Sequence, residues 1–316
     1  MKILMTGDAV GGVFTYALEL VEGLAAEEAE VVLALVGPPA DHAQRRRLAK
    51  APLAGFVERP YKLEWMEEPW EDVARAGDWL LDLAEDHRPD LVHLNGYAHG
   101  GALDLGAPKV VVGHSCVLSW HEAVRRRPAG SAWSRYRRTV TAGIAGADAL
   151  VAPTRALLAE LRRHYRPRCL CLAIPNGLAA DRLRRLPKER YVLGVGRADA
   201  ERLGELYGRA AVFAAPARYE PFGLAALEAG LAGCALVLGD VATLREVWDD
   251  AAVYVDPFDD DALAATLQRL LTDDGVRERL GEAARRRALS YPRERMAAAY
   301  ARLYRRVVTA SALEVA

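Results

Sequence analysis

The fold of this chain is decided by the stretch Pro216-Ala-Arg-Tyr-Glu-Pro-Phe-Gly-Leu-Ala-Ala-Leu-Glu228. A short apolar run over residues 211–215 precedes it, and apolar residues of good helix propensity follow Gly223, so the sequence predicts a strand, a turn and a helix. Glu220 falls in the turn and Glu228 about one turn into the helix. Carboxylates at these two places can accept hydrogen bonds from two different hydroxyl-bearing parts of one ligand.

The start of this predicted helix is a candidate anion site. The backbone amides of Phe222, Gly223 and Leu224 open the helix, and helix N-termini favour negative charge, so these amides can hold a group such as a diphosphate. A carboxylate beside a helix N-terminus can also simply cap the helix. The stretch by itself leaves ligand binding and capping equally open.

On both sides of this stretch, short apolar runs alternate with amphipathic segments of helical length, which predicts an α/β fold. The strands are predicted at 2–5, 31–36, 90–94, 109–113, 149–152, 168–174, 191–195, 211–215, 235–238 and 252–255, with helices that include 13–26, 71–87 and 293–308. Near-continuous apolar strands separated by helices indicate parallel sheets covered on both faces. Such sheets bind ligands beyond the carboxyl ends of their strands.

The alternation runs through the chain twice, which predicts two domains. We place the first over residues 1–173 and the second over 174–292, with a last helix and tail over 293–316. Pro175-Asn-Gly177 lies at the boundary and is a strong turn signal, so it is a candidate hinge.

Composition excludes several classes of function. The 316 residues carry a formal net charge of −1, so no overall field attracts nucleic acid. We read neither a signal peptide nor a membrane-spanning segment in the sequence. Cys169 and Cys171 are spaced C-x-C, which fits neither a redox pair nor a zinc pair, so the four cysteines are interpreted as buried thiols of a cytoplasmic protein.

Two further turns follow predicted strands. Thr6-Gly-Asp-Ala-Val-Gly11-Gly12 contains paired glycines that let backbone approach a ligand, although a turn that merely needs a positive φ explains them equally well. Gly194-Val-Gly-Arg197 delivers an arginine suited to a phosphate, although a surface arginine is the plainer interpretation. Neither turn has the G-x-G-x-x-G spacing of a dinucleotide site.

Taken together, these segments resemble the retaining glycosyltransferases of family 4, which have the GT-B fold. Residues 216–246 are similar to the E-x7-E region of that family and the strand after it. The other similar segments occur in the family's order: Gly11-Gly12, Ala147–Thr154, Ile174-Pro-Asn-Gly177 and Val195-Gly-Arg197. The resemblance implies two Rossmann-like domains facing across a cleft, with the C-terminal helix returning to the N-terminal domain.

The resemblance also implies roles for site residues. Glu220 would contact the transferred sugar, and Glu228 the ribose of a nucleoside-diphosphate sugar. Gly11 and Gly12 would approach the diphosphate, and Arg197 would be the cation facing the leaving group. His114, after the strand at 109–113, matches a family histidine near the sugar, although a structural histidine remains the alternative. The family uses no metal and no separate cofactor, so the resemblance implies none here.

The sequence departs from the family pattern after Arg197. Only Ala198 to Ala210 separate this residue from the strand at 211–215, enough for one crossover helix, and the family's phosphate-binding lysine is missing. Two explanations stay open: a genuinely shortened molecule, or a molecule with further residues at this join. We favour the second.

The partners follow only in outline from the sequence. We expect a nucleotide-sugar donor, no nucleic acid, and an acceptor that is a glycan, a lipid or a small molecule. The basic runs Arg125–Arg127 and Arg135–Arg138 flank Trp133, and they indicate either a solvated helix face or contact with an anionic membrane. A sugar-nucleotide epimerase of the same fold and a non-catalytic nucleotide-sugar binding protein remain the alternative functions.

Overall fold

The computed structural model describes residues 1–101, 103–194 and 200–315, so the predicted site residue Arg197 lies outside the described residues. The strands of the described chain all belong to two parallel sheets. They are β1 (Lys2–Gly7), β2 (Glu30–Val36), β3 (Gly55–Arg59), β4 (Leu91–Leu94), β5 (Lys109–Val112), β6 (Ala149–Ala152), β7 (Leu170–Ala173), β8 (Glu189–Gly194), β9 (Ala210–Ala215), β10 (Ala235–Gly239) and β11 (Val253–Val255).

In both sheets, neighbouring strands are consecutive in the chain, except where β1 pairs with β4. Within the described residues the first sheet has the order β3-β2-β1-β4-β5-β6-β7, and the second has the order β11-β10-β9-β8. The ten predicted strands are all present and pair in parallel, so the α/β prediction is confirmed. In the first sheet, the strand order reverses between β1 and β4, which is where open parallel sheets bind ligands.

The sequence missed β3, the strand over Gly55–Arg59. Its residues are half-buried or exposed and include Glu58 and Arg59, because β3 lies at the edge of the sheet and pairs only with β2. An edge strand that carries charges lacks the continuous apolar run of a central strand, which was the pattern that revealed the others.

The helices connect the strands and cover the sheets. They are α1 (Gly12–Ala25), α2 (His42–Leu48), α3 (Trp70–His87), α4 (Val117–Arg125), α5 (Ser134–Ala145), α6 (Arg155–Tyr165), α7 (Ala200–Arg209), α8 (Leu224–Leu231), α9 (Ala242–Trp248), α10 (Asp260–Thr272), α11 (Asp274–Ala288) and α12 (Arg293–Val315). Two short 3-10 helices span Ala98–Gly100 and Ser131–Trp133.

The chain forms two compact units. One comprises Met1–Ile174 together with the chain from Glu294 onward, and the other comprises Pro175–Arg293. The helix α12 therefore belongs to the N-terminal unit, as the resemblance implied. Its Tyr300 and Tyr304 are buried there against His93 at the end of β4.

Each unit has its own apolar core. In the N-terminal unit the central strands bury Leu4, Val92 and Val111 completely, and in the other unit Phe213 and Leu236 are equally buried. Burying one such side chain contributes about 1.5–3 kcal/mol relative to leaving it exposed, so the near-continuous apolar strands dictate the sheets.

The cysteines are free thiols, and their burial differs in part from the prediction. Cys116 and Cys234 are buried, whereas Cys169 and Cys171 are only half-buried. Cys171 lies in β7, the edge strand that pairs only with β6, and this position leaves its side chain partly uncovered.

Candidate active site

The N-terminal unit contains a cavity of about 590 Å³ at the carboxyl ends of its strands. Asp8 follows β1, Asn95 follows β4 and His114 follows β5, and these three strands are neighbours in the sheet. All three side chains line the cavity. The polar groups therefore lie where the strand order reverses, because parallel strands bring their carboxyl ends to one edge.

Asn95 lies at the centre of a hydrogen-bonded chain that ends at His114. Its Oδ1 is 2.7 Å from His114 Nε2 and 3.1 Å from His93 Nε2. Its Nδ2 donates to the carbonyl of Thr6 at 2.7 Å, and His93 Nδ1 is 2.6 Å from the hydroxyl of Tyr304. Because the amide oxygen can only accept, both histidines must carry their protons on Nε2.

Burial keeps these two histidines neutral. It lowers the pKa of His93 to about 4, and burial together with the neighbouring His93 lowers the pKa of His114 to about 3. With its proton on Nε2, the neutral His114 ring presents Nδ1 as an acceptor. Such a nitrogen can accept a hydrogen bond from a ligand hydroxyl.

Two carboxyl groups lie on the same cavity. Asp8 Oδ1 accepts a hydrogen bond from the amide of Val10 at 2.7 Å, and burial with the charge of Glu64 raises the pKa of Asp8 to about 7. Glu64 accepts from the amides of Tyr97 at 3.0 Å and Ala98 at 2.7 Å, and burial raises its pKa above the usual range. The cavity thus carries two weakened acids.

The predicted glycine pair begins α1. Gly11 has a φ of +63° and is the N-cap residue, so its backbone conformation favours glycine whether or not a ligand binds. A Cβ added at Gly11 would meet nothing within 4 Å, so the turn also leaves open space beside its backbone. The structure is compatible with both interpretations of Gly11 and Gly12, and their diphosphate role stays a prediction.

In the C-terminal unit, Glu220 lies at the N-terminus of α8. Its Oε1 accepts from the amide of Gly223 at 2.9 Å and from that of Phe222 at 3.3 Å. Burial raises the pKa of Glu220, against the effect of these two hydrogen bonds. Two of the three amides predicted to hold a diphosphate therefore bind Glu220 in the structure, while Leu224 begins the helix.

Glu228 lies about one turn into α8 and pairs with an arginine that the sequence reasoning missed. Its Oε1 is 3.2 Å from Arg182 Nε, and both side chains are largely buried. Burial and the neighbouring Glu228 carboxylate raise the pKa of the Tyr207 hydroxyl. Glu228 is thus a held carboxylate with polar partners on two sides.

The structure assembles the predicted residues in two groups. Glu220, Phe222, Gly223, Leu224 and Glu228 lie together around the start of α8, and Gly11, Gly12 and His114 lie at the strand ends of the N-terminal unit. Sequence reasoning missed Asp8, Asn95 and Glu64. The position of Asp8 and Asn95 directly after apolar strands was the available signal, whereas Glu64 lies in a loop after the undetected β3.

Trp133, which lies between the two basic runs, has contacts within the N-terminal unit, and the membrane interpretation of the basic runs stays a prediction. The Trp133 ring packs edge-on against Tyr136 and His121, at centroid distances of 5.7 Å each, and it lines the cavity. The Trp133 ring therefore packs within the N-terminal unit.

Across the described part of the chain, no helix is long and apolar enough to span a bilayer. Among the same residues, no group of His, Cys, Asp and Glu side chains is placed to hold a metal ion.

Two family models match the chain in succession. The model of Glycosyltransferase Family 4 matches residues 10–182, and the model of Glycosyl transferases group 1 matches residues 181–287.

Curated proteins match the chain over part of their length. O-antigen chain mannosyltransferase B of Escherichia coli is 40% identical over 91 residues, which are 29% of this chain and 24% of that protein. Glycogen synthase of Mycobacterium tuberculosis is 35% identical over 156 residues, 47% of this chain and 37% of that protein. D-inositol 3-phosphate glycosyltransferase of Salinispora arenicola is 34% identical over 145 residues, 43% and 32% of the two chains. The chain thus spans well under half the length of these relatives.

Solved structures match almost the whole chain. Sucrose-phosphate synthase from Thermosynechococcus elongatus has a TM-score of 0.79 at 18% identity, covering 98% of this chain and 100% of that one. Anabaena HepE in complex with UDP and glucose has a TM-score of 0.73 at 14% identity, covering 96% and 99%. At these identities the likeness shows the fold, which is that of the GT-B glycosyltransferases.

Proposed function

Because the chain belongs to glycosyltransferase family 4, we propose that it transfers a sugar from a nucleoside-diphosphate sugar to an acceptor, with retention at the anomeric carbon. The observation that carries the proposal is the pair of carboxylates around the start of α8. Glu220 is held at the helix N-terminus and Glu228 about one turn further on. Carboxylates at these two places can accept hydrogen bonds from two different hydroxyl-bearing parts of one ligand. By the family resemblance, these parts would be the transferred sugar and the ribose.

Donor binding at α8 would exchange hydrogen bonds rather than add them to empty amides. The amides of Phe222 and Gly223 now donate to Glu220. We propose that the diphosphate takes these amides, favoured by the positive end of the helix dipole, and that the Glu220 carboxylate turns to hydroxyls of the sugar. Glu228, held by Arg182, would accept from the ribose.

The proposed chemistry is a front-face displacement. The bond from the anomeric carbon to the diphosphate oxygen breaks, and the bond to the acceptor oxygen forms on the same face. The acceptor proton passes to the departing diphosphate, which serves as the base. Fixed donors and cations that stabilise the leaving diphosphate would then lower the barrier, and we propose Arg197 and the α8 amides for this role. The Nδ1 of neutral His114 would accept from a sugar hydroxyl.

The first test identifies the nucleotide. Unfolding temperatures are measured with UDP, GDP and ADP in turn, since a ligand that binds only the folded state raises apparent stability. At a concentration of 100 Kd the gain is about 2.7 kcal/mol, so a real binder is easily seen. If none of the three nucleotides stabilises the protein at millimolar concentration, the proposal is wrong.

The second test is Glu220→Gln, with Glu278→Gln as the matched control. Glu278 is an exposed residue of α11 in the same unit. Release of the nucleotide from its sugar conjugate should fall about 100-fold or more in Glu220→Gln, because a group that acts on the transition state is lost. Nucleotide binding by Glu220→Gln should not weaken, because the nucleotide no longer has to displace a carboxylate from the amides of Phe222 and Gly223. The Glu278→Gln variant should behave like the parent in both measurements.

The outcomes of this test also separate the alternatives. A Glu220→Gln enzyme with full turnover contradicts the proposed role. A sugar nucleotide that changes configuration without an acceptor identifies an epimerase, and nucleotide binding without any release indicates a binding protein.

A further inference from the structure

The cavity of the N-terminal unit is walled chiefly by apolar and aromatic side chains. Trp120, Trp133, Tyr97 and Tyr136 contribute rings, and valines such as Val112 and Val117 fill the spaces between them. A volume of about 590 Å³ falls within the range of small-molecule sites, roughly 300–1,000 Å³. Flat rings of this kind bind the apolar faces of ligands, including aromatic rings.

The charged groups on the cavity are acidic. Asp8 and Glu64 are the carboxyl groups, and Lys62 is the lining ammonium group, while no arginine is among the lining residues, all of which are described. Lys62 is exposed and its Nζ donates to the carbonyl of Glu67 at 2.9 Å, so this cation lies at the rim. Three histidines line the cavity, and His121 is a half-buried one of them. Burial lowers the pKa of the other two, His99 and His114, which disfavours their positive charge at neutral pH.

We infer that this cavity receives the acceptor, and that the acceptor is an uncharged or cationic molecule with an apolar ring face rather than a phosphate ester. The inference rests on the proposed function and adds the class of acceptor. A phosphate monoester carries about −1.5 to −2 charges at pH 7. If such an ester entered the cavity, its phosphate group would lose water and lie close to the like charges of Asp8 and Glu64. Among the described residues, no buried lysine or arginine lines the cavity to offset this cost in free energy.

Asp8 supplies the polar contact that an acceptor needs. Its Oδ1 is bound to the amide of Val10, while Oδ2 has no partner among the described residues. A hydroxyl or amino group of the ligand can donate to Oδ2 while the ring lies against the aromatic wall. The pKa of Asp8 at about 7 leaves a large fraction of its carboxyl groups ionised, and able to accept, at neutral pH.

The experiment compares 2-naphthol with 2-naphthyl phosphate by isothermal titration calorimetry at pH 7.5. The two probes share a ring system and differ in the phosphate group. A ring compound of this size that binds against the aromatic wall should have a Kd on the order of 1 mM or below. We expect the phosphate ester to bind at least about tenfold more weakly, because each further 1.4 kcal/mol of repulsion costs a factor of ten.

Two variants connect the binding to the cavity. Trp120→Leu should weaken naphthol binding about two- to tenfold, because the contact between the naphthol ring and the Trp120 ring is lost. Trp70→Leu is its matched control, because Trp70 stacks with Arg135 at 4.7 Å and is not among the lining residues. Asp8→Asn should reduce the difference between the two probes by removing one like charge.

The inference is overturned if the phosphate ester binds as tightly as naphthol, if naphthol does not bind at several millimolar, or if Trp120→Leu behaves like Trp70→Leu. The nucleotide measurements on the same protein separate this failure from that of the proposed function. Nucleotide binding with a preference for naphthyl phosphate contradicts only the acceptor class. Naphthol binding without any nucleotide effect contradicts the transferase proposal instead.

Discussion

At the scale of single residues, Asn95 determines the chemical state of the histidines beside it. Its one amide oxygen faces two imidazoles, so each ring must donate from Nε2, and burial removes their charge. Burial shifts the pKa of Asp8 in the opposite direction, upwards, and so favours its protonated form. Burial therefore favours the neutral form of each group, although the bases and the acid respond to pH in opposite directions.

These opposite directions predict opposite pH dependences. His114 has a folded-state pKa of about 3, below its ordinary 6.5, so its contribution to stability is present above pH 6.5 and is lost as pH falls. Asp8 has a folded-state pKa of about 7, above its ordinary 3.8, so its contribution is present at low pH and is lost as pH rises towards 7. Within these pH ranges, the free energy of unfolding changes by at most about 1.4 kcal/mol per pH unit for each group.

The measurement uses His114→Gln and Asp8→Asn, compared with the parent chain by urea unfolding at pH 6.5 and 4.5. When the pH is lowered from 6.5 to 4.5, the free energy of unfolding of His114→Gln should rise relative to that of the parent. The free energy of unfolding of Asp8→Asn should fall relative to that of the parent. Glu64, His99 and His121 also line the cavity, and the buried His93 lies beside His114. All four are present in the parent and in both variants, so the comparison with the parent reports chiefly on the substituted group. Two differences of the same sign would contradict the assigned shifts.

At the scale of secondary-structure elements, α12 contacts the residues of the site through Tyr304, although Tyr304 itself does not line the cavity. The helix leaves the C-terminal unit near Arg293 and buries Tyr304 against β4, where the Tyr304 hydroxyl meets His93 Nδ1. The chain of contacts continues through Asn95 to His114. The last helix of the sequence thus orients a residue at the end of the fifth strand.

Tyr304→Phe tests this contact. The variant removes the donor to His93 Nδ1 and leaves a buried acceptor without a partner, which costs about 1–3 kcal/mol. Tyr61→Phe is the control, because the Tyr61 ring packs against Trp79 and its hydroxyl has no partner among the described residues. Urea unfolding should show the loss only for Tyr304→Phe, and equal stabilities would mean that the contact contributes nothing.

At the scale of the whole molecule, the second unit is built on a short connection. Within the described residues, β8 pairs directly with β9, and α7 is the crossover helix between them. Tyr207 of α7 is buried, and Tyr191 of β8 donates to the carbonyl of Leu206 at 2.7 Å. A parallel pair with one crossover helix therefore forms from the sequence as it stands.

The intact mass of the protein from its natural source decides between the two explanations of this short connection. We expect a mass above 34.5 kDa, because the family pattern has further strands and helices between the arginine turn and the E-x7-E strand. A measured mass of 34.5 kDa would show that the molecule is genuinely shortened. Nucleotide binding by that molecule would then show that binding does not require the family's lysine.

The sequence by itself determined the α/β class, the ten apolar strands, and the strand, turn and helix that contain Glu220 and Glu228. These features are local: an apolar run, a turn and the start of a helix are set by neighbouring residues, as the stretch from Pro216 to Glu228 illustrates. The edge strand β3 escaped this reasoning because its stability comes from pairing with β2 rather than from an apolar run of its own.

Only the tertiary structure decided which side chains meet and in what state. Asp8, Glu64 and His114 are far apart in the chain, and they share one cavity because parallel strands bring their carboxyl ends to one edge. Arg182 reaches Glu228 across 46 residues, and Tyr304 reaches His93 across 211. Desolvation depends on everything packed around a group, and therefore the shifted pKa values belong to the fold and not to the sequence pattern.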